Sequence, residues 1–105
     1  MMQAELFDIV ELITDIPKLN LKSGDRGAIV EKYSDRDYEI EFTNEEGETT
    51  VLCTLPFHQL IIVWQTKTQN WVSLSDRIAA IVQKLSQEKQ QEVYTLTRSF
   101  CKDLV

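Results

Sequence analysis

The chain has 105 residues, 43% of them apolar and 9% aromatic, and a formal net charge of -6. That length holds one hydrophobic core rather than two, the composition is not that of a disordered chain, and no run approaches the roughly 18 apolar residues of a membrane-crossing helix. The acid is concentrated: Met1–Val72 carries 13 acidic and 6 basic side chains and Ser73–Val105 carries 4 and 5, a distribution that disfavours nucleic acid and favours a basic protein partner.

Glu5-Leu-Phe-Asp-Ile-Val-Glu-Leu-Ile13 fits a helical stripe (Leu6, Ile9, Val10, Ile13) and also a period of two. A lone helix of about nine residues is marginal, Ile9, Val10 and Ile13 are β-branched, and the short strands that follow need partners, so a strand is expected. The first residues show no basic region ahead of an apolar run, which points to the cytoplasm.

Gly24 and Gly27 flank Asp25-Arg26 in a turn before a strand over Ala28–Tyr33. After the turn formers Ser34–Asp37, Tyr38-Glu-Ile-Glu-Phe42 alternates cleanly, with Tyr38, Ile40 and Phe42 inward and Glu39 and Glu41 outward. Asn44-Glu-Glu-Gly47 reads as a hairpin turn, and Thr49–Leu55 as a strand that carries Cys53 inward. Pro56 ends it, Phe57–Leu60 forms a short turn, and Ile61-Ile-Val-Trp64 is the last apolar run. The polar stretch that follows is taken as a linker over 66–72.

From Ser73 the period becomes 3.6. Leu74, Ile78, Ile81, Val82 and Leu85 share a face behind a Ser73 N-cap, and Val93, Leu96, Phe100 and Leu104 share another behind Ser86, with Asp76 and Glu88 near the helix starts and Lys102 near the end. The expected architecture is α+β: a small five-stranded antiparallel β-barrel over 1–65 and a C-terminal helical hairpin over 73–105.

Leu6-Phe-Asp-Ile-Val-Glu-Leu12, Gly24-Asp-Arg-Gly27 with Ile29-Val30-Glu31, Tyr38-Glu-Ile-Glu-Phe42, and Thr54-Leu-Pro56 with Gln59-Leu60 together resemble a family of small bacterial domains, frequent in cyanobacteria and of unknown function. The resemblance covers roughly residues 5 to 64, implies an SH3-like barrel and carries over no catalytic residues. Leu85-Ser-Gln-Glu-Lys-Gln-Gln-Glu-Val93, running on toward Phe100, resembles a helical segment of small antitoxin-like proteins.

Chemistry is sparse. His58 is the one histidine and has neither a second histidine nor a nearby cysteine to make a zinc set. Cys53 and Cys101 read as reduced thiols, and no nucleophile, base and orienter assemble. The acids Asp35, Asp37, Glu39, Glu41, Glu45, Glu46 and Glu48 lack calcium-loop spacing; they are either the solvated side of a sheet or a docking surface. No metal, cofactor or enzymatic activity is expected.

The expectation is therefore an antitoxin-like protein-interaction module that neutralises a basic partner. Its candidate contact residues are Asp35, Asp37, Glu39, Glu41, Trp64, Trp71, Val93, Leu96 and Phe100, and a homodimer through the C-terminal helices is also open. The competing expectation is an accessory subunit docking on a photosynthetic or redox complex, without membrane insertion.

Overall fold

A computed structural model describes residues 3–104. Six antiparallel strands form one open sheet: β1 (Ile9–Leu12), β2 (Arg26–Lys32), β3 (Asp37–Thr43), β4 (Thr49–Pro56), β5 (Leu60–Gln65) and β6 (Asn70–Trp71), in spatial order β4-β3-β2-β1-β5-β6. Two helices follow, α1 (Leu74–Val82) and α2 (Gln87–Ser99).

This corrects the expected SH3-like closed barrel of five strands. Closure needs the end strands to pair, and here β4 and β6 remain as edges. The sixth strand comes from the polar stretch after β5: Gln69, in a left-handed conformation, turns the chain so that Trp71 pairs with Trp64 and Asn70 with Gln65.

The β3 alternation is as expected. Tyr38, Ile40 and Phe42 are buried, and Glu39 and Glu41 point outward. With Val10, Leu12, Ile29, Leu55, Leu60 and Ile62 they form one apolar cluster, against which Cys53 and Phe57 pack partly buried. Burial of such side chains contributes about 1.5–3 kcal/mol each.

β5 differs. Leu60 and Ile62 join that cluster, while Ile61, buried outside it and paired with Glu11, occupies the other face, where α1 lies against the strand; Val63, also buried, is the extra residue of a bulge that brings Trp64 opposite Ile9. A strand covered on both sides has no polar side, which is why residues 60–64 read as an unbroken apolar run.

The first strand is shorter than expected. Glu5–Asp8 forms a turn, closed by the Asp8 N–H donating to the Glu5 carbonyl at 3.2 Å, and Phe7 stands in it at φ +70° and 61% exposed. Asp8 itself is buried. Its carboxylate accepts from the backbone N–H of Glu5 and of Thr66, both at 2.9 Å, and so fastens the turn to the end of β5.

Gly24 is a turn glycine at φ +97°, but Gly27 lies inside β2. A Cβ there would stand 2.7 Å from Ile40 Cγ2 and 2.8 Å from the Glu41 carbonyl oxygen, so glycine is required by close approach and not by a turn.

Both helices start at the expected caps: Ser73 Oγ accepts from the Asp76 N–H and Ser86 Oγ from the Lys89 N–H, each at 3.2 Å. Their apolar faces divide. Ile81, Val82, Leu85 and Val93 are half-buried around the interhelical turn, while Leu74, Ile78, Leu96, Phe100 and Leu104 stay exposed. Among the described residues, no helix is long and apolar enough to cross a membrane. The radius of gyration, 15.4 Å, exceeds the roughly 13 Å of a compact chain this long.

Candidate interaction surface

Register places the outward-facing residues in rows, because directly paired positions share a face. One row crosses the whole sheet: Trp71, Trp64, Ile9, Ala28, Glu41 and Leu52 are successive partners from β6 to β4. The next groups Glu31, Glu39 and Thr54. Four of the expected contact residues, Glu39, Glu41, Trp64 and Trp71, thus lie on one surface.

The β4 side of that surface is acidic. Glu31 stands directly opposite Glu39, an arrangement that costs roughly 0.2–1 kcal/mol relative to an uncharged pair. Tyr33, which is exposed, donates its hydroxyl to Glu39 Oε2 at 3.1 Å, and Thr49 donates to Glu41 Oε2 at 3.0 Å. The carboxylate that accepts its proton holds the Tyr33 phenol above its ordinary pKa. Among the described residues, none of Glu31, Glu39 and Glu41 is in an ion pair. Leu52 lies beside them, 54% exposed.

Asp35 and Asp37 are exposed at the β2–β3 turn. Ser34 Oγ accepts from the backbone N–H of Arg36 and of Asp37, and Tyr38 donates its hydroxyl to the Asp35 carbonyl at 2.8 Å. They flank the acidic face at one end of β3.

The β6 side is aromatic. Arg26 places its guanidinium 5.5 Å from the Trp71 ring centroid and pairs with Glu11 at 3.0 Å. This cation is engaged locally on Trp71, which stays 57% exposed beside the half-buried Trp64. Val93 and Leu96 lie on α2 and Phe100 opens the 3-10 turn Phe100–Asp103 that follows it, away from the strands of the sheet surface.

A cleft of about 500 Å³ lies between α1 and the sheet, with Phe57, Leu60, Ile61 and Ile62 as its floor and Asp76, Gln83 and Lys84 at the rim. Lys84 Nζ donates to the Phe57 carbonyl at 3.3 Å and sits 4.8 Å from the Phe57 ring centroid. Partial burial lowers its pKa. His58 is exposed on the short 3-10 turn Phe57–Gln59, and Cys53 and Cys101 are free thiols. Among the described residues no three His, Cys, Asp or Glu side chains group as a metal site.

Sequence reasoning missed Tyr33 and Leu52, which join the acidic face, and gave no role to the buried Asp8. The first two were readable as outward positions once the register was known; Asp8 was not, since a buried and an exposed aspartate look alike in a pattern.

A family described as a domain of unknown function, DUF4926, matches residues 6–62, more than half of the chain, and the chain belongs to it. No curated protein and no solved structure matches it.

Proposed function

We propose that this member of the family is a non-enzymatic interaction module that binds a basic protein on the β3–β4 side of its sheet. The observation that carries the reading is the unrelieved carboxylate pair Glu31 and Glu39, with Glu41 on the same strand and exposed Leu52 and Tyr33 beside them. A lysine or arginine placed between the carboxylates removes their repulsion and gains charge-assisted hydrogen bonds.

The neighbouring edge strand β4 adds a second element of recognition. Its outer backbone groups are free to pair with an extended segment, whose alternate side chains would then fall toward Leu52, Glu39 and Glu41. Asp35 and Asp37 extend the negative field and speed encounter. The finer reading is antitoxin-like: a bacterial cytoplasmic protein neutralising a basic toxin encoded alongside it, in keeping with the Leu85–Val93 resemblance.

Tagged co-purification from the native host tests this, followed by titration of the recovered partner by calorimetry. A small basic protein in fixed ratio is expected, its affinity falling with salt and falling about tenfold or more in Glu39→Lys/Glu41→Lys. Affinity indifferent to both overturns the reading. The exposed apolar residues of the helices favour a second reading, an accessory subunit of a photosynthetic or redox complex; co-migration with a large assembly on native gels would select it.

A further inference from the structure

The free backbone groups of the β4 edge can be located residue by residue. The Phe57 N–H donates to the Arg36 carbonyl at 2.6 Å at one end of the β3–β4 ladder, and the Tyr33 N–H donates to the Asp37 carbonyl at 3.0 Å on the β2 side. Alternation along β3 then directs Tyr38, Ile40 and Phe42 to β4, so their partners Leu55, Cys53 and Val51 use their backbone groups inside the sheet. Leu52 and Thr54 turn the other way. Their N–H and C=O groups face the open edge, and among the described residues none has a partner. Pro56 belongs to the same outward series, at a position where its missing N–H costs no ladder bond.

No charged side chain lies within Thr49–Pro56, and Leu52 and Thr54 are exposed. An uncharged edge of this kind is a template for another strand. The rows of the sheet decide what that strand must carry. Directly paired residues share a face, so a residue added opposite Leu52 continues the row of Glu41, and one opposite Thr54 continues the row of Glu39 and Glu31. The added backbone stands about 10 Å from β3, two strand spacings, and a lysine or arginine stem laid over Leu52 brings its cation toward those carboxylates. The residue between the two falls on the opposite face, beside Cys53 in the row of Ile29 and Ile40, where an apolar side chain extends the core. A second copy of β4 would instead bring two acidic rows onto one surface.

Building on the reading of the β3–β4 side as the docking surface, we propose that the β4 edge takes an extended peptide segment in which two basic residues flank an apolar one. The segment adds antiparallel, the more stable pairing, with its basic residues opposite Leu52 and Thr54 and its apolar residue beside Cys53.

Calorimetry and amide hydrogen exchange on the full chain test it. The probe is a capped seven-residue peptide of alternating arginine and valine, and the control has the same composition with its arginines in one block. The alternating peptide is expected to bind at about 10–100 μM, the blocked one at least tenfold more weakly. The alternating peptide slows exchange at the Leu52 and Thr54 N–H groups tenfold or more, and the blocked peptide does not. N-methylation of its arginine amides, which keeps every charge, abolishes binding, whereas N-methylation of its valine amides does not. No binding of the alternating peptide, loss on valine rather than arginine methylation, or unchanged exchange at Leu52 and Thr54 overturns the proposal. Equal, salt-sensitive binding of both peptides that is lost in Glu39→Lys/Glu41→Lys also overturns it, while leaving the acidic face as the docking surface. Binding indifferent to that variant removes the surface as well.

Discussion

Replacing Asp8 by alanine should damage this fold more than any other change to an acidic residue. The carboxylate is 1% exposed and accepts one backbone N–H from Glu5 and one from Thr66, each at 2.9 Å. Hydrogen bonds to a charged acceptor contribute about 1.5–3 kcal/mol each. Because Glu5 and Thr66 are not fully buried, water can recover part of that, and about 2–4 kcal/mol is the expected net loss. For a domain this size, that lowers the melting temperature by roughly 10–20 °C. Urea titration followed by circular dichroism, with the m-value held constant, measures it directly. Asp8→Asn should lose nearly as much, since its amide nitrogen would face one of the two N–H donors. An alanine variant within about 0.5 kcal/mol of the parent would refute the claim that Asp8 ties the first turn to β5.

Five further outcomes are expected. Gly27→Ala forces its Cβ against the Glu41 backbone and should cost about 1–3 kcal/mol in the same titration, with no change expected from glycine's turn propensity because the site is in a strand. Ile40→Asp puts an unpaired charge at a position with no exposure and should abolish cooperative melting. Truncation after Gln65 should give an aggregating fragment, since Ile61 loses the cover of α1, while truncation after Leu85 should leave a soluble, cooperatively melting sheet. In alkaline titration, burial raises the Cys53 and Tyr38 pKa values above their ordinary 9.0 and 10.0. The folded state therefore holds those protons longer than the unfolded chain, and their contribution is intact below pH 9 and lost as pH rises beyond it. Lys84, lowered by burial from 10.5, acts in the opposite sense. In a thiol-reagent assay near pH 8, Cys101 should react well before Cys53.

Local features were legible in the sequence because they are written locally. The period-two pattern of residues 38–42 became β3 with the expected faces, and Ser73 and Ser86 became helix caps. Closure was not legible, since it depends on whether strands far apart in sequence pair at their outer edges. A two-residue strand such as β6 carries no periodicity, and its partner choice rests on the Gln69 turn. The unbroken run at 60–64 was visible, but its cause, cover on both faces, emerges only with α1 in place. The acidic half of the candidate surface was readable as outward positions on β3. What brought Glu31, Tyr33 and Leu52 beside them was register, including the irregularity between Ile29 and Glu31. The aromatic pair was also brought to that face, yet Arg26 and Glu11 occupy it from the same chain.

Phe7 holds a left-handed backbone angle that costs a bulky side chain roughly 1–2 kcal/mol and that glycine adopts freely. Its ring, 61% exposed, returns little of that through packing. In a library varied at position 7 and sorted for folding alone, glycine and asparagine should rise and phenylalanine should decline. Sorted for whatever the living cell requires, an aromatic that persists against that gradient would report a demand that thermal stability does not make. Position 7 thus separates the two selections at a single codon, with the Asp8 clasp beside it keeping the turn in place under either regime.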